Sequence, residues 1–547
     1  MKIHINSTNN SMSKTKIFIG LILIGIISII LKLYFVDFSL PLINDGQFWS
    51  LQAISHLNGD FDILAKKNPG WSLFLSPFYA LIDSSDFLVY SNVTRIVSIL
   101  LSTLAILPMY LLSRKFFNEK YSLVAACLLA FEPHLIYWSG FGYAESLYIP
   151  LVILTLYFIM NKNNKLVYIS FVFAGFMWWT RLEGIIMIVI ISCIFFVLNS
   201  RSKKQLLKYF ICLVIFVIVI SPILVQRNNQ FDDPLYLYYN ERMFIDDFYE
   251  AGLKQTEKTA SNYVEDYGLD QFVSRFLVDG TFNVVEQTIR LSAPYLLILV
   301  PFGLLFSLRA FDQNNSFFKA NWIMLLGYGA FMVIVLSTIV ERRFLFALFP
   351  PLIIFAVLPI QRLVEYGLST FSLTPKTKNI SLVIVLCIIL LLSIFFMDRF
   401  ERKDLAAENE KISLADFLLN DLDDGHIFDP ATSRTFEHGY LYYLKLNNPP
   451  GNFKNFKVIN DPVLGVASEK NIIEMDGDSL NEIIANAKNL NVKYILVDEE
   501  NNNDILDELY LEKQNYSFLD KIYDTQENGM KKLKIKVFEI NFKQFTP

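Results

Sequence analysis

The chain has 547 residues, of which 53% are hydrophobic, 15% aromatic and only 18% charged, and its mean hydropathy is +0.39. A soluble protein of this length needs more surface charge, so the composition excludes an ordinary cytosolic enzyme and indicates an integral membrane protein. The net charge of −5 is unevenly distributed: residues 401–547 carry 27 acidic and 17 basic residues, whereas residues 1–400 carry 26 and 31. The basic residues form no stripe of the kind that binds nucleic acid.

Eleven apolar segments are long enough to predict membrane-spanning helices, which need roughly 20 such residues. They lie at or near residues 17–36, 90–113, 120–137, 144–160, 166–181, 184–199, 206–226, 292–308, 320–339, 343–361 and 380–397. A shorter apolar run at 71–82 predicts a juxtamembrane half-helix. The fold class is therefore a polytopic α-helical membrane protein.

The Lys and Arg residues of the short loops predict the orientation, because such residues concentrate on the cytoplasmic side. With eleven spans, most of these loops fall on one side. The prediction is a cytoplasmic N-terminus (1–16) and a transmembrane domain (17–398) with outer loops at 37–89 and 227–291. An extracytoplasmic α/β domain (399–547) follows, whose clearest strands are predicted at 492–497 and 534–540.

Several classes of chemistry lack their motifs. The sequence contains no P-loop, no G-x-S-x-G, no H-E-x-x-H and no close His pair. All four cysteines lie in apolar segments, so the C-terminal domain has no disulfide framework or thiolate metal site. No cofactor is predicted with certainty. The carboxylates of Asp45 and Asp60 are weak candidates for binding a divalent cation.

Two candidate groups lie in the first outer loop. Asp45 follows the first span and is suited to act as a general base on a hydroxyl, although Asn44 or Asp45 equally suits the N-cap of a helix over residues 47–57. Lys67, in the sequence Lys-Asn-Pro-Gly-Trp, can hold a phosphate as a point charge. The alternative is that it extends to the lipid headgroups, as lysines at a membrane edge commonly do.

Further candidates lie in short turns predicted on the same side. Glu145 and Trp138 flank a glycine-rich aromatic turn that suits a sugar, although a carboxylate at that position also favours the start of a helix. Arg181 and Glu183 can pair with each other, and arginine also suits lipid phosphate because its fork matches phosphate oxygens. Arg342 and Arg343 break the positive-inside pattern, and Arg95 lies inside the second predicted span; these three arginines are likewise candidates for phosphate binding.

These segments, in this order, resemble the GT-C class of integral membrane glycosyltransferases, in particular the protein O-mannosyltransferase, aminoarabinose transferase and Rgt-like group. The resemblance rests on short stretches over roughly residues 15–400, namely those around Asp45, Lys67, Arg95, Glu145, Arg181 and Arg342. Trp178-Trp179 is followed by Thr180, not by the Asp-Tyr-Gly of oligosaccharyltransferases, which argues against en bloc transfer to asparagine.

The resemblance implies a transferase that moves a sugar from a polyprenyl- or dolichyl-phosphate donor to a hydroxyl of a glycan, lipid or protein acceptor. It implies an inverting reaction with Asp45 as the base and Lys67, Arg95, Arg181, Arg342 or Arg343 on the lipid phosphate. Glu145, Trp138 and Glu183 would hold the sugar or the acceptor. Two other functions stay open: a transporter or flippase of lipid-linked glycans, and a non-catalytic membrane anchor that displays the acidic tail.

Overall fold

The computed structural model describes residues 12–62, 67–161, 165–199, 202–236, 243–244, 259–312, 315–367, 374–400, 404–423, 425–428, 438–447, 472–473, 479–499 and 504–545. The chain forms two compact units. Unit 1 comprises Met1–Val36, Phe61–Leu75 and Thr94–Glu401, and unit 2 comprises Asp37–Asp60, Ser76–Val93 and Arg402–Pro547. The predicted domains divided the chain near residue 398, but the structure groups two segments of the first outer loop with the C-terminal residues.

The described residues of the first half of the chain form eleven α-helices. They are α1 (Lys14–Tyr34), α2 (Asn44–Leu57), α3 (Gly70–Tyr79), α4 (Phe87–Leu104), α5 (Ile106–Ser113), α6 (Glu119–Ala130), α7 (Pro133–Trp138), α8 (Glu145–Ile159), α9 (Val167–Thr180), α10 (Met187–Leu198) and α11 (Lys203–Phe231). Short 3₁₀ helices at Ser139–Phe141 and Leu182–Ile186 lie in two of the candidate turns. The predicted half-helix at 71–82 corresponds to α3.

The helices continue to residue 397. They are α12 (Ala260–Val273), α13 (Gly280–Leu291), α14 (Leu296–Asp312), α15 (Ser316–Leu336), α16 (Phe349–Glu365) and α17 (Pro375–Met397), with a 3₁₀ helix at Arg342–Leu348. The predicted outer loop 227–291 thus contains α12 and α13. A largely apolar core runs through unit 1, with Phe171, Met187, Met324 and Phe355 fully buried. Many large apolar side chains of these helices are exposed, as a lipid-facing surface requires.

Each of the eleven predicted apolar segments coincides with a helix or a bent pair of helices. Within the described residues, six helices are long and apolar enough to cross a membrane: Lys14–Tyr34, Phe87–Ser113, Lys203–Phe231, Ser316–Leu336, Arg342–Glu365 and Lys376–Met397. The count rises to eight if two bent pairs each form one span. Three shorter apolar helices coincide with the other segments, so a total of eleven spans stays a prediction.

The bends are features that the apolar patterns did not predict. The segment predicted as one helix over 120–137 bends by 55° between Ala130 and Pro133. Pro133 causes the break because proline cannot donate a backbone hydrogen bond to the preceding turn. Glu132 caps the second half by accepting a hydrogen bond from the backbone N–H of Leu135 at 2.8 Å. The chain thereby turns just before Trp138 and the glycine-rich segment.

The C-terminal part of unit 2 is built on a five-stranded mixed sheet. Its elements are α18 (Leu405–Asn420), β1 (His426–Phe428), α19 (His438–Asn447), β2 (Ile472–Ile473), α20 (Leu480–Asn489), β3 (Val492–Asp498), α21 (Asp504–Tyr510), β4 (Leu519–Asp524) and β5 (Ile535–Ile540). The strand order is β2-β1-β3-β5-β4, with β1 parallel to both neighbours and β5 antiparallel to β3 and β4. The strands predicted at 492–497 and 534–540 are confirmed as β3 and β5.

Unit 2 also includes the helix that carries Asp45. Ile43, which precedes α2, packs in one apolar cluster with Leu414, Tyr440 and Tyr494. The Gln47 side chain donates a hydrogen bond to the Gly439 carbonyl at 3.2 Å. These contacts join α2 to the C-terminal segments, although some 390 residues separate them in sequence. Apolar periodicity cannot predict such a pairing.

Candidate active site

Arg181 lies at the centre of a buried cluster of charges in unit 1. It ends α9 in an extended conformation (φ −144°) and pairs with Glu145 from the first turn of α8 and with Glu183 from the following 3₁₀ helix. The side chains of Arg181, Glu145 and Glu183 are 12%, 6% and 8% exposed, respectively. The predicted pairing of Arg181 with Glu183 is therefore present, and Glu145 joins it. We call Glu145, Arg181 and Glu183 the acid–arginine–acid cluster.

Aromatic rings cover the Arg181 guanidinium. Its Cζ lies 4.9 Å from the ring centre of Phe344 and 6.0 Å from that of Tyr148. Both distances are in the range of cation–π attraction, which strengthens when the groups are desolvated. Phe344 belongs to the 3₁₀ helix Arg342–Leu348, so the third candidate turn meets the other two at Arg181.

Arg342 and Arg343 begin that third turn. Arg343 pairs with Glu341, and its Cζ lies 5.2 Å from the ring centre of Tyr143. Arg342 donates a hydrogen bond through Nε to the neutral side chain of Gln287 at 3.3 Å. The two arginines thus have different environments: one has a carboxylate partner, and the other has an amide.

A small cavity lies beside the cluster, with Glu145 in its lining. Trp138 and Phe346 line it with aromatic surface, and the ring of Trp138 also packs against Tyr143 at 5.3 Å. Its polar lining comes from the side chains of Ser102, Ser139, Glu145 and Ser146. Aromatic faces combined with hydroxyl and carboxylate groups are the kind of surface that suits a sugar ring.

The segment that begins with Lys67 packs against two of the same turns. Asn68 donates a hydrogen bond to the Trp178 carbonyl, and Trp71 donates one through Nε1 to the Gly142 carbonyl at 2.8 Å. Gly70 lies so close to the main chain of Trp179 that an added Cβ would be 2.5 Å from its carbonyl carbon. Only glycine fits this approach, and it fixes the backbone next to Lys67, whose side chain is half-buried.

Arg227 and Arg95 are buried near these segments. Arg227, at the end of α11, donates a 2.5 Å hydrogen bond to the Asn68 side chain, and it also bonds to the Tyr236 carbonyl. Arg95 is 7% exposed on α4, one turn before Ser98. Ser98 in turn donates a hydrogen bond to the Ser139 carbonyl at 2.7 Å, so this face of α4 points toward the aromatic turn.

Asp45 lies in unit 2. It is half-buried in the first turn of α2, directly after Asn44, whose φ of 54° is left-handed. The residue at the N-cap position is Ile43, which makes no side-chain capping bond. The carboxylate of Asp60, the other acid considered for a cation, accepts a 2.8 Å hydrogen bond from Ser55. Among the described residues, no group of three or more His, Cys, Asp or Glu side chains could hold a metal ion.

The structure therefore brings together four sequence-predicted segments within unit 1, those around Lys67, Glu145, Arg181 and Arg343. Sequence reasoning missed Arg227, Phe344 and Tyr143, which contact them. The position of Arg227 at the polar end of an apolar span was a usable signal. Phe344 and Tyr143 carry no signal of their own, because aromatic residues are common throughout this chain.

The sequence model of the family described as dolichyl-phosphate-mannose-protein mannosyltransferase matches residues 66–225. No curated protein matches this chain in sequence. Among solved structures, the apo oligosaccharyltransferase of Archaeoglobus fulgidus is similar, with a TM-score of 0.58 and 13% identity, covering 89% of this chain and 70% of that one.

ArnT from Cupriavidus metallidurans bound to undecaprenyl phosphate is similar over the whole length. Its TM-score is 0.56 with 11% identity, covering 98% of this chain and 100% of that chain. The archaeal oligosaccharyltransferase AglB, solved with an inhibitory peptide and a dolichol-phosphate, gives a TM-score of 0.55 with 13% identity, covering 89% and 70%. The predicted resemblance is confirmed: this chain has the fold of the GT-C integral membrane glycosyltransferases.

Proposed function

We propose that this protein is a glycosyltransferase that moves a sugar from a polyprenyl- or dolichyl-phosphate donor to a hydroxyl acceptor at the outer face of the membrane. The observation that carries the proposal is the buried acid–arginine–acid cluster beside an aromatic cavity, in a chain with the GT-C fold. Burying three charged side chains is costly, and a purely structural pair would need only one acid. A second carboxylate next to the cavity is a group that can accept hydrogen bonds from sugar hydroxyls.

The basic residues support a lipid-phosphate donor. Lys67 and Arg95 lie on segments that pack against the aromatic turn, and Arg342 and Arg343 begin the turn that covers Arg181. The similar structures of ArnT and AglB were solved with undecaprenyl phosphate and a dolichol-phosphate, respectively. A donor of this type carries its own leaving group, so the reaction requires no nucleotide-binding motif.

Arg181 has a more specific part in this proposal. Its guanidinium bonds to two carboxylates, so its positive charge is already compensated. It therefore holds Glu145 and Glu183 in fixed positions for the sugar or the acceptor. Arg342 donates a hydrogen bond to the neutral amide of Gln287, so its charge is less compensated than that of Arg181 and is available to the departing phosphate. Trp138 offers a flat face for the sugar ring.

The proposed reaction is a single displacement with inversion. Asp45 takes the proton of the acceptor hydroxyl, and the oxygen attacks the anomeric carbon. The bond between that carbon and the phosphate oxygen breaks, and its electron pair leaves with the lipid phosphate. The basic side chains stabilise the charge that develops there. No divalent cation is needed to balance this step, and its requirement is tested by adding a chelator to the assay.

The experiment is a transfer assay with the purified full chain. Wild-type protein is incubated with polyprenyl-phosphate-linked sugars and a panel of glycan, lipid and peptide acceptors, and products are identified by mass spectrometry. The Asp45→Asn variant should lose roughly 100-fold to 10,000-fold in rate, the usual cost of a missing general base. Asp62→Asn, an exposed acid of the same outer region, serves as the matched control. Full activity of Asp45→Asn would exclude the proposed base.

A flippase of lipid-linked glycans is the second candidate, and the bent helices favour it. Broken helices are common at transporter binding sites, and this chain has bends of 55° and 112°. The test uses proteoliposomes that contain a fluorescent lipid-linked sugar. Movement of the lipid between leaflets without formation of a glycosylated product would favour transport. Product formation that depends on Asp45 would favour transfer.

A further inference from the structure

The helix α13 is held closely against α15 by its inward face. A Cβ added at Gly280 would lie 2.2 Å from the Val333 carbonyl oxygen, so the two helices approach each other as closely as glycine allows. The side chain of Asn283 donates a hydrogen bond to the Leu336 carbonyl at 2.9 Å. Gln287 lies on the same inward face and is 7% exposed. The position of Gln287 is therefore fixed by packing.

The outward face of α13 is apolar and exposed. Phe282, Val285 and Ile289, spaced three and four residues apart, are 67%, 52% and 50% exposed. The chain bends by 112° between this helix and α14, where Ile298 is also exposed. Such an exposed apolar stripe suits contact with the lipid surface. Gln287 thus lies on the protein side of a helix whose other side suits lipid.

Gln287 provides the hydrogen-bond acceptor for Arg342 at the start of the third turn. The Arg342 Nε donates a hydrogen bond to Gln287 Oε1 at 3.3 Å. A guanidinium keeps its charge at every physiological pH and has further N–H donors on its Nη atoms. Among the described residues no carboxylate forms an ion pair with Arg342. The neighbouring acid, Glu286, pairs instead with Arg290 at 2.5 Å.

The neutrality of this acceptor distinguishes Arg342 from the other two arginines of the turns. Arg181 pairs with two carboxylates and Arg343 pairs with one. A glutamate at position 287 would have the same length and would offer the same acceptor, but its charge would compensate the guanidinium. The amide holds the Arg342 side chain and leaves its charge intact.

We propose that Gln287 is a positioning residue for Arg342, which it holds through a neutral acceptor so that the positive charge stays available to the phosphate of the lipid-linked donor. This inference rests on the proposed function, because it takes Arg342 as a ligand of that phosphate. The apolar outward face of α13 fits the role, since it suits the membrane surface in which the polyprenyl chain of the donor is anchored.

The test measures the affinity of the purified full chain in detergent for two probes, polyprenyl phosphate and polyprenol, by native mass spectrometry. The probes differ only in the phosphate, so the ratio of their affinities reports phosphate recognition. In Gln287→Glu this ratio should fall about tenfold or more, because the new carboxylate compensates the Arg342 charge that binds phosphate. Gln271→Glu makes the same chemical change on an exposed residue of α12. This control should keep the ratio within about twofold of the wild-type value, because exposed charges are screened.

A role in packing alone predicts a different result, because Glu keeps the length and the acceptor of Gln287. A Gln287→Glu variant that has the wild-type thermal midpoint and the wild-type ratio would overturn the inference. If Gln287→Glu does not fold, Gln287→Met replaces it, since Met removes the acceptor without adding charge. The ratio should then fall at least about threefold, the effect of one lost hydrogen bond, and an unchanged ratio would overturn the inference.

A double variant tests whether Gln287 acts through Arg342. Gln287→Glu combined with Arg342→Gln should show the same ratio as Arg342→Gln alone. A further loss in the double variant would mean that the new carboxylate repels the phosphate directly, and would overturn the positioning role.

The outcomes separate this inference from the proposed function. A wild-type protein that binds polyprenyl phosphate no more tightly than polyprenol overturns the proposed function and the inference with it. A wild-type preference for polyprenyl phosphate that Arg342→Gln reduces and Gln287→Glu does not overturns the inference alone.

Discussion

The acid–arginine–acid cluster gives the sharpest prediction on stability. Replacing Arg181 with Met removes the cation that pairs with both Glu145 and Glu183. Two carboxylates with side chains 6% and 8% exposed would then lie close together without a counter-charge. Removing one partner from a buried ion pair costs about 3–5 kcal/mol. Because Arg181→Met leaves two carboxylates unpaired, its loss of stability should lie near the upper end of this range.

The matched control is the neighbouring pair of Arg343 and Glu341, whose side chains are 19% and 32% exposed. Partly exposed pairs contribute about 0–1 kcal/mol, so Arg343→Met should change stability far less than Arg181→Met. The assay is equilibrium unfolding of both variants in the same detergent, followed by intrinsic fluorescence. The triple variant Glu145→Gln, Arg181→Met, Glu183→Gln should recover most of the loss, because it leaves no unpaired charge. Equal destabilisation by Arg181→Met and Arg343→Met would refute the reasoning.

Three further predictions concern close packing, the departing phosphate and acid stability. Gly70→Ala should abolish transfer or folding, because the new Cβ would lie 2.5 Å from the Trp179 main chain. Gly329→Ala, whose Cβ would have no atom within 4 Å, should be neutral or stabilising. Equal activity and equal thermal midpoints of the two variants would contradict this prediction. Arg342→Gln should lower kcat by at least about tenfold in the transfer assay. The control Arg290→Gln, which changes an exposed side chain, should leave kcat unchanged. An unchanged kcat in Arg342→Gln would exclude Arg342 from the proposed phosphate site. Burial alone would raise the pKa of Glu410, but hydrogen bonds from the backbone N–H groups of Lys531, Leu533 and Lys532 outweigh it and lower the pKa. The contribution of Glu410 to the free energy of unfolding is therefore present at neutral pH and lost as the pH falls through the lowered pKa. In pH-dependent unfolding, the Glu410→Gln variant should lose less stability at acid pH than the wild type.

The positions of the helices were largely predictable from the sequence. Every predicted apolar segment coincides with a helix because burial in lipid requires long apolar runs, and β3 and β5 carry enough β-branched residues to be recognised. The bends were not predicted, although Pro133 offered a signal for one of them. The grouping of α2 with the C-terminal segments was also missed, because it depends on contacts such as that of Gln47 with the Gly439 carbonyl.

The candidate site was predictable only in part, for a similar reason. The count of spans predicted one face of the membrane for the turns around Glu145, Arg181 and Arg343. The structure brings these turns together in unit 1, which agrees with that prediction. The second bond of Arg181, to Glu145, joins residues 36 positions apart and could not be read from local spacing. The contacts of Arg227 depend on helix rotation, which apolar runs without strong periodicity do not reveal.

The central claim is that this chain catalyses sugar transfer from a lipid-phosphate donor. The most direct measurement is the release of bare polyprenyl phosphate, quantified together with glycosylated acceptor, by purified wild-type and Asp45→Asn protein. The account predicts equimolar release and product formation in the wild-type reaction, with both lost in Asp45→Asn. The claim would be contradicted if both proteins formed lipid phosphate and product at the same rate. It would also be contradicted if the wild-type protein bound the donor but never consumed it with any acceptor.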